Sequence, residues 1–197
     1  MRSIDHIHIG QYLVQRYLSD RPKISQKAFV LGNVLPDINV FTYFRGFCKS
    51  RELKGHNYGN ARKAIEKLEL KLSAKKSFTL YDHLRLGKLI HYTADSFTYP
   101  HNDDFPGDLK AHVEYEEKLH QYFCERMKKN HSAAYGYYLD GQSFYYKLVR
   151  LHNVYENINA CCERDVMFIL NAVRLAMDKF IISKNINQNF KSWRAVS

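Results

Sequence analysis

Residues 80–101 read LYDHLRLGKLIHYTADSFTYPH, and their period decides the fold. Leu86, Leu89, Ile90 and Ala94 recur three and four apart, the spacing of a single helix face. His91 and Asp95 lie within that apolar stripe and, being four apart, stand one above the other about one turn apart. The spacing predicts a helix from about Leu80 to Tyr99, with His101 turning inward from a loop after Pro100. A carboxylate buried at Asp95 carries a heavy desolvation cost unless it meets a cation. His112 and Glu116 repeat the four-residue spacing one segment later.

Outward from this stretch the chain stays helical. Ile9, Tyr12, Leu13 and Tyr17 predict a first helix over 4–19, stopping before Pro22. A second begins near Ser25 and stops within Gly32–Asp37, because Pro36 biases Leu35 away from helical geometry and leaves Asp37 in a loop. An aromatic stretch, 38–58, carries His56. Ala61, Ile65, Leu68 and Leu72 form one face of a helix over 59–74, with lysines opposite. Further helices are predicted over 108–129, 142–156 and 159–183, with a turn at 102–107. No segment alternates with period two, and no internal repeat or linker interrupts the pattern. The expectation is an all-α, single-domain multi-helix bundle over 1–184 and a C-terminal tail over 185–197.

Composition narrows the partners. The 197 residues carry a formal charge of +10, which favours an anionic partner: a phospholipid headgroup, a membrane surface or nucleic acid. The four cysteines, Cys48, Cys124, Cys161 and Cys162, have no CxxC spacing and read as reduced packing residues suited to a cytoplasm. Asp5, His6 and His8 interrupt the first apolar residues, so no stretch of signal-peptide length stands there. No apolar run approaches the roughly 20 residues of a membrane span. A cytoplasmic protein is therefore expected.

The inward-facing donor types are His6, Asp37, His56, His91, Asp95, His101, His112 and Glu116. Imidazole and carboxylate without thiolate is the donor chemistry of hydrolytic rather than structural zinc. Taken singly, a histidine on an apolar helix face is more often a hydrogen-bonded core residue, and Asp37 could simply cap a turn. Four separate segments supplying the same donor chemistry argue for two or three zinc ions with carboxylate bridges. His8 is read on another face of the first helix, His83 as solvent-facing, and His120 as a group behind the His112–Glu116 pair. Glu117 and His120 spell one Glu-x-x-His, whereas di-iron bundles use two.

These motifs resemble the zinc-dependent phospholipase C family, which shares its fold with single-strand-specific zinc nucleases. The resemblance runs over roughly residues 4–120: His6-Ile-His-Ile-Gly10, Leu31-Gly-Asn-Val-Leu-Pro-Asp37, His56, His91-x3-Asp95-x5-His101 and His112-x3-Glu116. It implies one zinc on His56, His91 and Asp95, with Asp37 as ligand or general base. A second would lie on His101, His112 and Glu116, and a third on His6, bridged by Asp95. The closing Glu116 favours the phospholipase side over the nuclease branch, which closes with aspartate. The implied activity is hydrolysis of an anionic phosphodiester, a phospholipid or its headgroup, by water activated between zinc ions. Nucleic acid is the less favoured substrate.

Two positions depart from that pattern. Residue 1 is Met where secreted relatives start with a Trp that completes the third site, which leaves that site weak, incomplete or closed by the Met1 amine. Ile38 and Leu53 stand where the family places choline-binding aromatics, although Phe41, Tyr43, Phe44 and Phe47 lie nearby. Tyrosines over 135–146 could touch a lipid interface or equally serve as packing residues. A zinc nuclease or phosphomonoesterase, and a metal-stabilised binding protein without turnover, remain the alternatives.

Overall fold

A computed structural model describes residues 1–38, 58–128 and 142–183. His56, Cys48, the aromatics at 41–47, Leu53, the tyrosines at 135–138 and the C-terminal tail lie outside these residues. Among the described residues there are helices and no strand: α1 (Ser3–Tyr17), α2 (Lys23–Ile38), α3 (Tyr58–Ser73), α4 (Leu80–Asp95), α5 (Leu109–Lys128), α6 (Phe144–Glu156) and α7 (Cys162–Met177). The all-α expectation holds. A short 3₁₀ turn, Tyr99–His101, joins α4 to α5, and α7 ends in a π turn, Asp178–Ile182. No described helix is long and apolar enough to cross a membrane.

The quoted stretch builds the centre. α4 takes α2, α3 and α7 against its sides. Leu86, Leu89, Ile90 and Ala94 are fully buried there, as the period requires. Its start is set by a capping box: the Thr79 hydroxyl accepts from Asp82 N at 3.3 Å while Asp82 Oδ2 accepts from Thr79 N at 3.1 Å, which satisfies two backbone donors that no helical turn can reach. His83 is buried rather than solvent-facing, because its Nδ1 hydrogen-bonds the Thr79 carbonyl at 2.8 Å and its ring meets Phe78 edge-on.

The approach of α2 to α4 depends on reciprocal glycines. A Cβ on Gly32 would lie 2.1 Å from the Leu84 carbonyl oxygen, and one on Gly87 2.1 Å from that of Phe29. Both neighbours are backbone, so no side chain can move aside. That contact brings Asn33 of α2 against His91 of α4, with Asn33 O 2.9 Å from His91 Nδ1.

Two boundary differences bear on the site. α2 continues through Pro36 to Ile38, so Asp37 stands on its last helical turn and not in a loop. Proline removes one intrahelical donor, and near the C-terminus few further turns depend on it. Conversely α4 ends at Asp95 and not at Tyr99. The Ser96 and Thr98 hydroxyls donate to the Tyr92 and Ala94 carbonyls at 2.7 and 3.3 Å, and Pro100 offers no backbone donor.

A buried carboxylate ties the turn after α4 to α7. Asp165, wholly buried, accepts from Tyr99 N (2.8 Å), the Tyr115 and Tyr155 hydroxyls (2.9 Å each) and Arg164 Nη2 (2.9 Å). It thereby fixes the 3₁₀ turn that carries His101. Asp165→Ala strands the buried Arg164 guanidinium, and breaking such a pair costs about 3–5 kcal/mol. The urea midpoint should fall accordingly; an unchanged midpoint would refute the anchoring role.

His152, also wholly buried, stacks on Tyr58 with ring centroids 3.4 Å apart and places Nε2 2.8 Å from Asn102 Oδ1. Burial, aided by the Arg62 and Arg164 charges, pushes its pKa down from 6.5 to about 4. A histidine with a depressed folded-state pKa contributes full stability above its unfolded value. That contribution is lost as pH falls from about 6.5 towards 4, on the order of 3 kcal/mol when complete. Metal-free protein should therefore lose denaturant resistance across that window. His6, likewise depressed, adds to the slope. Comparison with His152→Phe isolates the His152 share, and parallel curves would disprove it.

Candidate metal centre

Local structure supplies half of each donor pair. His91 and Asp95 share a face of α4 and meet, Nε2 to Oδ2, at 3.2 Å. His112 and Glu116 do the same on α5, Nε2 to Oε1, at 3.1 Å. Packing supplies the rest. α1 delivers His6, whose Nε2 lies 3.2 Å from Asp95 Oδ1 and whose ring stacks on His91 at 4.0 Å between centroids. The last turn of α2 brings Asp37 Oδ1 to 3.5 Å from His91 Nε2. The 3₁₀ turn sets His101 Nε2 3.1 Å from Glu116 Oε1.

Two donor groups result, each with its ligand atoms within 4.8 Å of one another: His6, Asp37, His91 and Asp95 in one, His101, His112 and Glu116 in the other. Seven of the eight residues singled out from sequence therefore converge; the eighth, His56, lies outside the described residues. The Met1 nitrogen links the groups, at 3.3 Å from Asp95 Oδ1, 2.6 Å from Glu116 Oε1 and 2.8 Å from His101 Nε2.

The electrostatics of this cluster are those of anionic groups gathered around cations. Burial works to raise the Asp95 carboxyl, but the Met1 ammonium, His101, His91 and His6 outweigh it and hold the group well below the usual carboxylate range. Glu116 is depressed by the same balance, its burial outweighed by the Met1 ammonium and by hydrogen bonds from His101 and His112. Burial likewise opposes the charged form of Met1, yet Asp95 and Glu116 carry that ammonium up to about 10. Burial and the neighbouring His91 depress His6, whereas His91 is raised because Asp95 and Asp37 overcome its burial.

The donor set fits zinc. Its atoms are imidazole nitrogens and carboxylate oxygens alone, and Asp95 offers one oxygen to His6 and the other to His91, as a bridging carboxylate would. His6 Nδ1 is buried with no hydrogen-bond partner among the described residues. The His91 ring is held by its other nitrogen on the Asn33 carbonyl, the arrangement that orients a metal-binding histidine. The Asn33 amide in turn donates to His6 O at 2.6 Å, so Asn33 holds the His91 ring through its own carbonyl and the His6 backbone through its side chain. Asn33 was missed from sequence because nothing local marks it; its role exists only where α2 crosses α4.

The all-helical bundle thus gathers, at one end of its central helix, histidine and carboxylate groups that could hold a metal ion. A family model described as zinc-dependent phospholipase C matches residues 5–174. The chain belongs to that family, and the family implies zinc as the metal. No curated protein and no solved structure matches the chain.

Proposed function

We propose that this chain is a zinc-dependent phosphodiester hydrolase of phospholipase C type, acting on a phospholipid or a related glycerophosphodiester. The observation that carries the reading is the Asp95 carboxylate, buried and shared between His6 and His91. His6, Asp37, His91 and Asp95, joined by His56 through the family resemblance, would hold part of a cluster of two or three zinc ions. His101, His112 and Glu116 would hold the remainder, with the Met1 amine between the groups. Zinc bound there supplies Lewis-acid polarisation of phosphoryl oxygens and a lowered pKa for water.

The remaining work falls to the chain. Asp37 is the least buried member of its group, with its side chain 15% exposed. Its Oδ2 accepts from Ser3 Oγ at 2.7 Å, which leaves Oδ1 on the cluster side, near His91. Asp37 Oδ1 is thus the atom placed to orient the attacking water and take its proton. The formal charge of +10 favours approach of an anionic substrate. Glu116 supports the phospholipase over the nuclease branch, and a cytoplasmic location remains part of the proposal.

Elemental analysis beside hydrolysis of bis-p-nitrophenyl phosphate tests the reading. Two or more zinc ions per chain, with turnover lost to chelator and restored by zinc, are expected. Less than one zinc per chain after reconstitution would refute the site, and zinc without turnover on any phosphoester would refute the hydrolase. Phosphatidylcholine, its soluble headgroup esters and single-stranded DNA, compared by kcat/KM, then separate the substrate classes.

A further inference from the structure

On a different face of α1 from His6 there is a second gathering of metal-ligand types. Asp5 and His8 are three apart on α1, and His120 and Cys124 are four apart on α5, so each helix presents two groups on one face. Donor atoms of Asp5, His8 and Cys124 lie within 4.8 Å of one another. His120 stands beside this set: its Nδ1 is 2.5 Å from Asp5 Oδ1, both ring nitrogens lie 3.8 Å from Cys124 Sγ, and its ring stacks over His8 at 6.5 Å. Arg2 and Glu117 pair beside them across the same two helices.

Asp5 is the independent sign of a ligand. Its side chain is fully buried, and Oδ2 has no hydrogen-bond partner among the described residues. A buried carboxylate oxygen left without a donor is costly unless a cation reaches it. Cys124, a free thiol, lies in the same gathering.

We propose that Asp5, His8 and Cys124 form a further metal site, separate from the histidine–carboxylate centre, that takes a borderline-soft divalent cation such as zinc and clamps α1 to α5. Thiolate, imidazole and carboxylate together suit zinc and disfavour magnesium or calcium. His120 holds Asp5 in place from beside the site. The clamp has a structural purpose: α1 carries His6 and α5 carries His112 and Glu116, so a cation between them fixes the spacing of the two donor groups. The same residues could be read as a cysteine nucleophile with a histidine base. Burial and the Asp5 charge push the Cys124 thiol up, which disfavours a free thiolate nucleophile, whereas a bound divalent cation itself deprotonates the thiol that coordinates it.

Cobalt(II) titration of the metal-stripped full chain separates this site from the main centre, whose described donor groups offer imidazole nitrogen and carboxylate oxygen only. A near-ultraviolet thiolate-to-cobalt band should appear in the wild type, persist in Cys161→Ser and Cys162→Ser, and vanish in Cys124→Ser. In the last variant the visible cobalt bands of the main centre remain and report an intact fold. His8→Ala and His120→Gln should weaken the sulfur band's midpoint by about tenfold or more. A metal-loaded wild type without a sulfur band overturns the proposal, as does a band surviving in Cys124→Ser. Alkylation of wild-type Cys124 by iodoacetamide, read by mass spectrometry against exposed Cys161, needs no folded variant. Zinc should slow it several-fold at Cys124 alone; equal rates with and without zinc overturn the site.

Discussion

Asp95→Asn should abolish phosphodiester turnover and strip the protein of zinc. The substitution keeps the side chain's shape and hydrogen-bonding reach but removes the charge that His6, His91 and the Met1 nitrogen all face. Losing one group that stabilises transition-state charge costs about 10²–10³ in rate. Asp95 also joins two histidines of the centre, so about 10³-fold or more in kcat/KM is expected, with zinc content falling in parallel. The metal-free protein should suffer as well, because the Met1 ammonium and His91 lose their buried counter-charge, a loss of about 3 kcal/mol. Glu117→Gln is the matched control. Its partner Arg2 and its own side chain are exposed, and surface pairs contribute about 0–1 kcal/mol. Full zinc content with undiminished turnover in Asp95→Asn would sink the assignment of this centre.

The second large effect lies away from every donor atom. Gly87→Ala drives a methyl group to 2.1 Å from the Phe29 carbonyl oxygen and 2.8 Å from Asn33 N. Overpacking costs about 1–3 kcal/mol when side chains can shift, but these atoms are backbone, so about 3 kcal/mol or more is expected. α2 must retreat from α4, and the Asn33 carbonyl then leaves His91 Nδ1, so zinc content should drop even in molecules that still fold. Gly10→Ala offers the contrast. Its Cβ would meet Asn33 Nδ2 at 3.3 Å and Val30 Cγ2 at 3.4 Å, contacts that side chains can relax, so a loss within about 1 kcal/mol is expected. Denaturant midpoints and zinc content of the two variants decide the matter. Equal effects would show that backbone contact at Gly87 is not what sets the helix approach.

Much of this was legible from order alone. A period of three to four specifies a helical face without reference to any partner, so α4 and its buried leucines followed from residues 80–101. The same geometry paired His91 with Asp95 and His112 with Glu116, because four residues make about one turn wherever the helix lies. The match over residues 5–174 agrees with the family that those motifs suggested. Boundaries were less secure. The proline rule placed Asp37 in a loop, yet α2 carries Pro36 inside its final turns, since a rule about one residue's preferred angles yields to packing of the whole helix.

Local spacing leaves open which donors share a cluster: the grouping came as an implication of the family resemblance, and the tertiary structure brings its described members together. His6 meets Asp95 across 89 positions and the Met1 nitrogen meets His101 across 100; no local period connects such pairs. His8 and His120, read from sequence as weaker candidates, gather with Asp5 and Cys124 where side chains of α1 and α5 meet. His83, read as wet, is buried by Phe78 and the start of its own helix. Helical spacing determines which face a side chain occupies. What that face meets is set by the close crossing of helices, here by Gly32 and Gly87, whose missing side chains let α2 bring Asn33 to His91.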